Sequence, residues 1–538
     1  MISSFCRRLF LLAVIAFLGL VPGAMAGPIV ADSGFRVDPD GFSFANYGND
    51  EGYRNLNSNE MRRMFGNAVC VTGNGGKCVL SAPARAWMDA KNEAMGGGHC
   101  YGFAALASLI ERGQLPEFGY RSLSPFGGGT STFGLGITNP RLQSSIARAW
   151  TFQLLDSVNA RAITGRPTEI LNSLRRELTP QNRETFTMLI FKPGFEEGHA
   201  ITPYSVEDLG SGKFAVHVYD NNWPNDTDRV MTIDTVADRW SYVASTNPEQ
   251  PADLYQGSAR TRTLLLKPTT PGFQIQNCPF CVGRKGTNSK YNEVTLSNPG
   301  DEHANLLITD TKGRQTGFLN GKLVNRIPGA KVLPRAAGAN IDGDGNLSAN
   351  SLEPAYRIPR NLKLRIKVLG DNLPRQSRQA VSVVGPTYDA NVDNVLVGPG
   401  LNASLTLSPK RNTLSFTNSK KPSTPSVSFG AQSSKAAYRI TVSAIGSPGR
   451  RTYYFAKKPK FGLLRIGEKS NAGQRYSVKV SRYTSSGTEQ FARGYSIRGK
   501  QQAFLYYGAL ASPKGRAKIA IAVPGRKSVR VLSLRQVR

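Results

Sequence analysis

Hydrophobic residues recur at helical spacing in two stretches of the first half of the chain. After Cys100 they fall at positions 103, 104, 106, 107, 109 and 110, and Gly113 with Pro116 supplies a stop signal. This spacing predicts a buried helix that begins at Cys100. A second helical pattern covers residues 142–178. Strand-like runs then follow between turn clusters, at residues 186–191, 199–206, 214–219 and 230–233.

The second half of the chain has the pattern of strands. Residues 362–368 alternate strictly between apolar and basic side chains, which is typical of a strand with one buried and one solvated face. Further strand-length runs recur at residues 438–444, 451–455, 475–480 and 517–523. We therefore expect a β-rich linker domain over residues 271–370 and one or two β-sandwich modules over residues 371–538.

The first 26 residues have the pattern of a secretory signal. Arg7 and Arg8 precede thirteen apolar residues at positions 9–21, and Ala24-Met25-Ala26 is a small-x-small cleavage site. Thirteen residues are too few to span a bilayer. The pattern predicts a protein that is secreted or held at the cell surface. Residues 27–85 are polar and form either an extension packed on the next domain or a pro-segment.

Charge is concentrated at the C-terminal end. The chain of 538 residues has a formal net charge of +31, and residues 371–538 hold 29 basic against five acidic residues, a net +24. The aromatic and basic residues at 450–461 would suggest nucleic acid in a cytosolic protein, but the export signal argues against that partner. The expected partner is an anionic envelope polymer or an acidic membrane surface, unless the charge only keeps the protein soluble.

Five cysteines remain after the signal segment. Cys70 and Cys78 flank a turn-rich loop that a disulfide could close, and Cys278 and Cys281 are near enough to pair with each other or to serve a metal. An odd thiol in an oxidising compartment is unpaired by design or reactive. This count singles out Cys100.

Cys100 also belongs to a set of residue types that suits nucleophilic catalysis. A thiol at the start of a helix lies beside unpaired N–H groups and the positive end of the helix dipole, which favour the thiolate. His199 and the adjacent Asp220 and Asn221 follow downstream. An imidazole can take the thiol proton, and an amide or carboxylate can fix its tautomer.

The sequence here resembles the papain-like cysteine peptidases. Gly98-His99-Cys100-Tyr101 matches the family's Gly-[Ser/Ala]-Cys-[Trp/Tyr] context except at His99, and Asn221-Asn222-Trp223 matches its Asn-x-Trp. The resemblance implies a two-lobed papain-like domain over residues 86–270, and hence an α+β fold followed by β-rich, sandwich-like C-terminal modules. It also implies a tryptophan that shields the histidine–asparagine bond.

The resemblance does not decide two residues of the site, namely the third triad member and the side chain of the oxyanion hole. The Asn-x-Trp match favours Asn221 as the third triad member, whereas Asp220 is placed first because compact relatives of the fold end the strand in Tyr-Asp. Residues 81–99 contain no glutamine for the oxyanion hole, and Asn92 is the neutral amide available there.

A possible calcium loop lies at residues 340–351. Oxygen side chains of Asn340, Asp342, Asp344, Asn346 and Ser348 are spaced as in part of an EF-hand loop, although position twelve is a serine. The alternative is a plain Asp-Gly turn between strands. The triad requires no cofactor, so structural calcium is the one cofactor that the sequence suggests.

Two hypotheses of function follow. In the first, the protein is a secreted thiol peptidase that hydrolyses a polypeptide substrate through a thioester on Cys100. In the second, it is a catalytically weak or inactive surface protein that keeps the papain-like fold for binding and attaches to an anionic envelope through its basic modules. The missing glutamine favours the second, and the complete triad favours the first. A transglutaminase or wall amidase is a third reading.

Overall fold

The computed structural model is dominated by β-strands. It describes residues 27–537 except residues 50, 72–76, 194–195, 282–289, 298–302, 334–352, 387, 447–448, 459–461, 470–472 and 513–514. Strand makes up 42% of the chain and helix 20%, in three large antiparallel sheets. The predicted α+β class with a papain-like two-lobed domain is therefore wrong, because nearly half of the chain follows residue 270 and its described regular elements are strands and short 3-10 turns. The predicted signal segment and calcium loop lie outside the described residues.

The helices of the described chain all precede residue 178. They are α1 (Val37–Asp40), α2 (Ser58–Phe65), α3 (Ala82–Ala94), α4 (Cys100–Glu111), α5 (Leu115–Phe118), α6 (Pro140–Trp150), α7 (Asp156–Asn159) and α8 (Pro167–Glu177). The first nine strands are β1 (Ile29–Asp32), β2 (Ile163–Thr164), β3 (Phe186–Lys192), β4 (Glu196–Gly210), β5 (Lys213–Tyr219), β6 (Val230–Asp234), β7 (Arg239–Ala244), β8 (Asp253–Ser258) and β9 (Leu264–Pro268).

These nine strands form one sheet that helices cover on both faces. Its order is β2-β9-β3-β4-β5-β6-β7-β8, and β1 pairs with β4. On β3, Leu189 and Phe191 face the core that contains α4, whereas Met188 and Ile190 face the core that contains α8. Burial on both faces explains why residues 188–191 of this strand are a continuous apolar run. The polar lead-in is part of the same unit, because it contributes β1.

Helix α4 packs closely against α6. A Cβ atom at Gly102 would lie 2.2 Å from the carbonyl oxygen of Ile146, so only glycine fits at this crossing. On its other side, the carbonyl of Ala104 accepts a hydrogen bond from Thr202 Oγ1 of β4 at 3.3 Å. The helix that begins at Cys100 is thereby fixed between α6 and the sheet.

The remaining strands build one sandwich of two sheets. The first sheet contains β10 (Tyr291–Ser297), β14 (Lys331–Leu333), β15 (Ala355–Pro359), β17 (Ser377–Val384), β18 (Asp389–Val397), β21 (Ser426–Gln432), β22 (Ala437–Ile445), β25 (Gln474–Thr484), β26 (Gly487–Ile497) and β30 (Arg535–Val537). The second contains β11 (Asn305–Asp310), β12 (Gln315–Leu319), β13 (Lys322–Asn325), β16 (Leu364–Leu369), β19 (Ala403–Ser408), β20 (Thr413–Thr417), β23 (Thr452–Lys458), β24 (Leu463–Glu468), β27 (Gln502–Tyr506), β28 (Lys518–Ala522) and β29 (Val529–Ser533).

From β17 to β28 the chain places successive strand pairs alternately in the two sheets. The pairs β17–β18, β21–β22 and β25–β26 belong to the first sheet, and β19–β20, β23–β24 and β27–β28 to the second. One apolar core lies between the sheets along their whole length. Strands from both sides of the expected boundary at residue 370 share each sheet, since β10 pairs with β17 and β16 with β19. A sandwich-like C-terminal region is confirmed.

Ion pairs join the sandwich to the helical unit. Glu293 of β10 accepts from Lys91 Nζ of α3 at 3.0 Å and from Arg357 Nε of β15 at 3.5 Å. Arg357 also reaches Asp156 of α7 at 2.6 Å, and the Arg439 side chain donates to Asp89 at 3.0 Å. The carboxylate and both cations around Glu293 are almost fully buried. The two units therefore meet through a desolvated charge cluster.

Both expected disulfides are present. Cys70 is bonded to Cys78 and Cys278 to Cys281. Such bonds indicate a non-reducing environment. In the described residues we find no helix long and apolar enough to cross a membrane.

Candidate active site

Three different elements bring Cys100, His199 and Asp220 together. Cys100 is the first residue of α4, His199 lies on β4, and Asp220 directly follows β5. The three side chains are buried, and Cys100 is the only free cysteine of the described chain. The N–H groups of Cys100 and Tyr101 donate to no acceptor within the described residues, as is usual in the first turn of a helix.

The His199 ring is held by the carboxylate of Asp220. Its Nε2–H donates to Asp220 Oδ1 at 2.8 Å. The other ring nitrogen, Nδ1, is buried and has no hydrogen-bond partner among the described residues. Nδ1 is therefore the ring nitrogen left for the thiol, and the Asp220 contact holds the ring in one orientation.

The charges at this site favour a protonated histidine. Burial alone would lower the pKa of His199, but the charge of Asp220 and its hydrogen bond, with a further contribution from Cys100, raise that pKa to about 10. Burial would likewise raise the pKa of Asp220, yet the interaction with His199 and the hydrogen bonds from Tyr242 and Asn222 hold it below the usual value. The pair is thus a buried imidazolium and carboxylate at neutral pH.

Further residues hold Asp220 in place. Tyr242 Oη donates to Asp220 Oδ2 at 2.6 Å, and the backbone N–H of Asn222 donates to Oδ1 at 2.9 Å. Arg229 Nε donates to Tyr242 Oη at 3.0 Å, and its Nη2 lies 3.9 Å from Asp220 Oδ2. The half-buried Trp223 packs under the Arg229 guanidinium, 4.1 Å from its ring centroid. The tryptophan therefore stacks against the arginine that backs the carboxylate.

Asn221 has a different place from Asp220. Its Nδ2 donates to the carbonyl oxygens of Cys100 at 3.2 Å and Ala200 at 2.8 Å. It makes no hydrogen bond to His199 within the described residues. Asn221 thus ties the start of α4 to the strand that carries His199, while Asp220 contacts the ring itself.

Asn92, which was considered for the oxyanion hole, and His99, which precedes Cys100, both have structural partners. Asn92 Oδ1 accepts from the backbone N–H of Leu56 and its Nδ2 donates to the Leu56 carbonyl, each at 3.0 Å. His99 is buried, and its ring nitrogens contact the carbonyl of Tyr47 and Oδ1 of Asn55, each at 2.7 Å. Burial lowers the pKa of His99 to about 4 against the effect of the Tyr47 contact.

No family model, curated protein or solved structure matches the chain.

The lead-in segment contributes to the walls of the site. Asn46 Oδ1 accepts from the backbone N–H of His99 at 2.7 Å, its Nδ2 donates to Asn222 Oδ1 at 3.1 Å, and its own N–H donates to the carbonyl of Asn221 at 2.7 Å. One side chain therefore connects the residue before Cys100 to the turn after Asp220. Asn46 precedes Cys100 by more than fifty residues, so sequence spacing gave no signal for it.

A charged cluster lies where β3, β4 and β8 meet. Lys192 Nζ contacts Glu197 at 2.6 Å and Asp253 at 2.7 Å, and it lies 5.3 Å from the ring centroid of Tyr255. Burial raises the pKa of Tyr255 to about 12, with contributions from the charges of Glu197 and Cys100. The buried Tyr255 ring therefore lies beside this cluster. No group of His, Cys, Asp and Glu among the described residues is arranged to hold a metal ion.

Proposed function

We propose that the protein is a secreted thiol hydrolase that cleaves peptide bonds with Cys100, His199 and Asp220. The observation that carries the proposal is the buried Asp220–His199 hydrogen bond beside the one unpaired thiol of the described chain. The likeness to papain-like peptidases is proposed for the catalytic residues alone. Secretion is proposed from the N-terminal pattern together with the disulfides.

The proposed reaction has two steps. The Cys100 thiolate, whose proton His199 has taken, attacks the substrate carbonyl carbon to form a tetrahedral oxyanion, and the C–N bond then breaks as His199 gives that proton to the departing amine. Water next attacks the thioester, His199 takes one of its protons, and the acid is released with the thiol restored. The open N–H groups of Cys100 and Tyr101 are the donors that we propose for the oxyanion, in place of Asn92.

The burial of the site supports a second candidate, a binding protein with little or no hydrolytic activity. Cys100 is 4% exposed, and His199 and Asp220 are 0% exposed. A substrate must displace part of the surrounding wall to reach the sulfur. Retention of a complete triad at the helix start favours the hydrolase over this candidate.

Thiol labelling separates the two candidates. Brief iodoacetamide treatment of the intact protein at mildly acidic pH, followed by peptide mapping, should label Cys100 and no other cysteine. Hydrolysis of a mixed peptide library should disappear in Cys100→Ala, because no other group on the described chain replaces the nucleophile. The matched control is Ser108→Ala, on the same helix and away from its start. Labelling of Cys100 no faster than a free thiol, with no hydrolysis by the unmodified protein, would favour the binding protein, and unchanged hydrolysis in Cys100→Ala would reject Cys100 as the nucleophile.

We propose that the basic sandwich holds the protein on an anionic envelope polymer or an acidic membrane surface. Arg526, Lys527 and Arg530 lie exposed at the β28–β29 end. The attraction should fade with salt, because the Debye length falls from about 8 Å at physiological ionic strength to about 3 Å at 1 M. Binding of the full chain to acidic vesicles, followed by co-sedimentation, should be retained at low salt and lost at high salt.

Charge-reversal variants test which part of the protein provides this attraction. Changing Arg526, Lys527 and Arg530 to glutamate should weaken vesicle binding several-fold. The control reverses three exposed arginines of the N-terminal unit, namely Arg121, Arg161 and Arg260. Equal weakening by the two sets would mean that net charge alone is responsible and that the sandwich has no special role.

A further inference from the structure

An arginine-lined cavity lies in the helical layer, apart from the triad. It has a volume of about 740 Å³, and Arg54, Arg62, Arg63 and Arg141 are among its lining residues. None of Cys100, His199 and Asp220 lines it. Cavities of this size are typical of small-molecule sites in proteins.

The acidic side chain in the lining of this arginine cavity does not neutralise the positive charge of the arginines. Glu60 is the one acidic residue in its lining. Its carboxylate is almost fully buried and is engaged by Arg148 Nε at 3.2 Å and Arg63 Nε at 3.7 Å. The side chains of Arg54 and Arg141 make no hydrogen bond or ion pair with a described residue, since only their backbone N–H groups donate. Two guanidinium groups are thus available to a ligand.

The other two arginines are already oriented. The Arg63 guanidinium donates to the carbonyl of Gly119 at 2.9 Å and lies 4.5 Å from the ring centroid of Tyr120. Arg62 Nε donates to Asn67 at 2.6 Å, which leaves its terminal nitrogens free of that bond. Fixed guanidinium groups lose less side-chain entropy when they bind an anion.

The walls of the cavity come from rigid parts of the fold. Asn57 caps α2 by accepting from the N–H of Asn59 at 2.9 Å, and its Nδ2 donates to Ser144 of α6 at 3.0 Å. The two helices that present three of the arginines are therefore joined at the cavity itself. The arginines converge from a loop, from α2 and from α6.

We propose that this cavity is a binding site for a small oligophosphate anion. A guanidinium group donates two parallel hydrogen bonds to a phosphate, and several such groups around one cavity select a ligand with several negative charges. The site is independent of the thiol chemistry and does not rest on the hydrolase assignment. It gives the N-terminal unit a ligand that the triad does not require.

Calorimetry on the full chain with inorganic tripolyphosphate tests the proposal. The unmodified protein should bind with a saturable heat, and the double variant Arg54→Gln with Arg141→Gln should bind at least tenfold more weakly, because each charged hydrogen bond lost costs about tenfold or more. Both side chains are exposed and unpaired, so the variant should keep its melting temperature. Hydrogen–deuterium exchange should show ligand protection in residues 54–63.

The control removes equal charge elsewhere, in the double variant Arg526→Gln with Arg530→Gln, and should bind tripolyphosphate as the unmodified protein does. Equal losses in the two double variants, or protection confined to the sandwich, would overturn the site and assign the binding to net charge. Citrate, as a polycarboxylate, should bind more weakly than tripolyphosphate. Tighter binding of citrate would overturn the phosphate assignment.

Discussion

Asp220→Asn should reduce peptide hydrolysis by about 10³–10⁴-fold, because an amide cannot supply the charge that holds and stabilises the His199 imidazolium. The carboxylate accepts the Nε2–H of His199 at 2.8 Å inside a fully buried site. Without it, the ring loses the interaction that sets its tautomer toward Cys100. Initial rates on the same peptide substrate give the measurement.

The pKa of His199 supplies a second readout for this variant. It is raised to about 10 in the native protein by Asp220 and Cys100 against the effect of burial. The stability that this raised pKa contributes to the fold is fully present below pH 6.5, the ordinary pKa of histidine. It is lost as the pH rises through about 10. In Asp220→Asn the imidazole should lose its proton at a lower pH, which NMR of the ring protons detects.

Two neighbouring variants serve as graded controls. Tyr242→Phe removes the hydrogen bond to Asp220 Oδ2 but keeps the carboxylate, so we expect a loss of about ten- to a hundredfold. Asn221→Ser should act on stability more than on the pKa of His199, because Asn221 bonds to the carbonyls of Cys100 and Ala200. A larger pKa shift in Asn221→Ser than in Asp220→Asn would reverse the two assignments.

Glu293→Ala should lower the free energy of unfolding by about 3–5 kcal/mol, since it leaves Lys91 and Arg357 as buried cations without their shared partner. Lys91 belongs to α3 of the helical unit, and Arg357 belongs to β15 of the sandwich. Loss of the Glu293 carboxylate should therefore also loosen the junction of α3 with the sandwich. Urea denaturation followed by circular dichroism measures the change.

Acid should weaken the same ion pairs around Glu293. Burial would raise the pKa of Glu293, but Lys91 and Arg357 hold it below the usual value. Stability from a lowered carboxyl pKa is present above the unfolded value, about 4.5, and is lost as the pH falls through the folded value. The native protein should therefore lose stability on acidification, and Glu293→Ala should lose less over that range.

Asp156→Asn provides the matched control, because Asp156 contacts the same Arg357 but its side chain is 54% exposed. Removing an exposed partner should cost less than about 1 kcal/mol. Losses of the same size in the two variants would show that burial does not decide the strength of this junction.

Periodicity along the sequence predicted the helix and the strands that carry the site, but not which other residues surround it. The helix over residues 103–110 and the strands over 186–191 and 214–219 are found as α4, β3 and β5, because their periodicity directly reflects burial on one or two faces. The predicted helical stretch 142–178 is instead divided into α6, α7 and α8, with β2 between the last two. Gly165 and Pro167 break the helical pattern there.

The residues of the site that the sequence did not predict reach it from other parts of the chain. Tyr242, Arg229 and Asn46 reach the site from β7, from the segment before β6 and from the lead-in, and none stands near a motif. The fold class failed for a related reason. A resemblance carried by short motifs around Cys100 and Asn221 concerns only the residues of the candidate site, whereas the balance of helix and strand is set by the long sandwich.

The open ends of the sandwich have a consequence for contact between copies of this protein. Val529 and Val531 of β29 are 52% and 55% exposed, and no described strand pairs with the outer side of β29. An unpaired edge with exposed valines is a template on which another chain can add a strand and begin an aggregate. Arg530 lies between the two valines, and Arg526 and Lys527 precede them. Two such edges approaching each other bring like charges together, so the basic residues oppose the pairing of one sandwich edge with another.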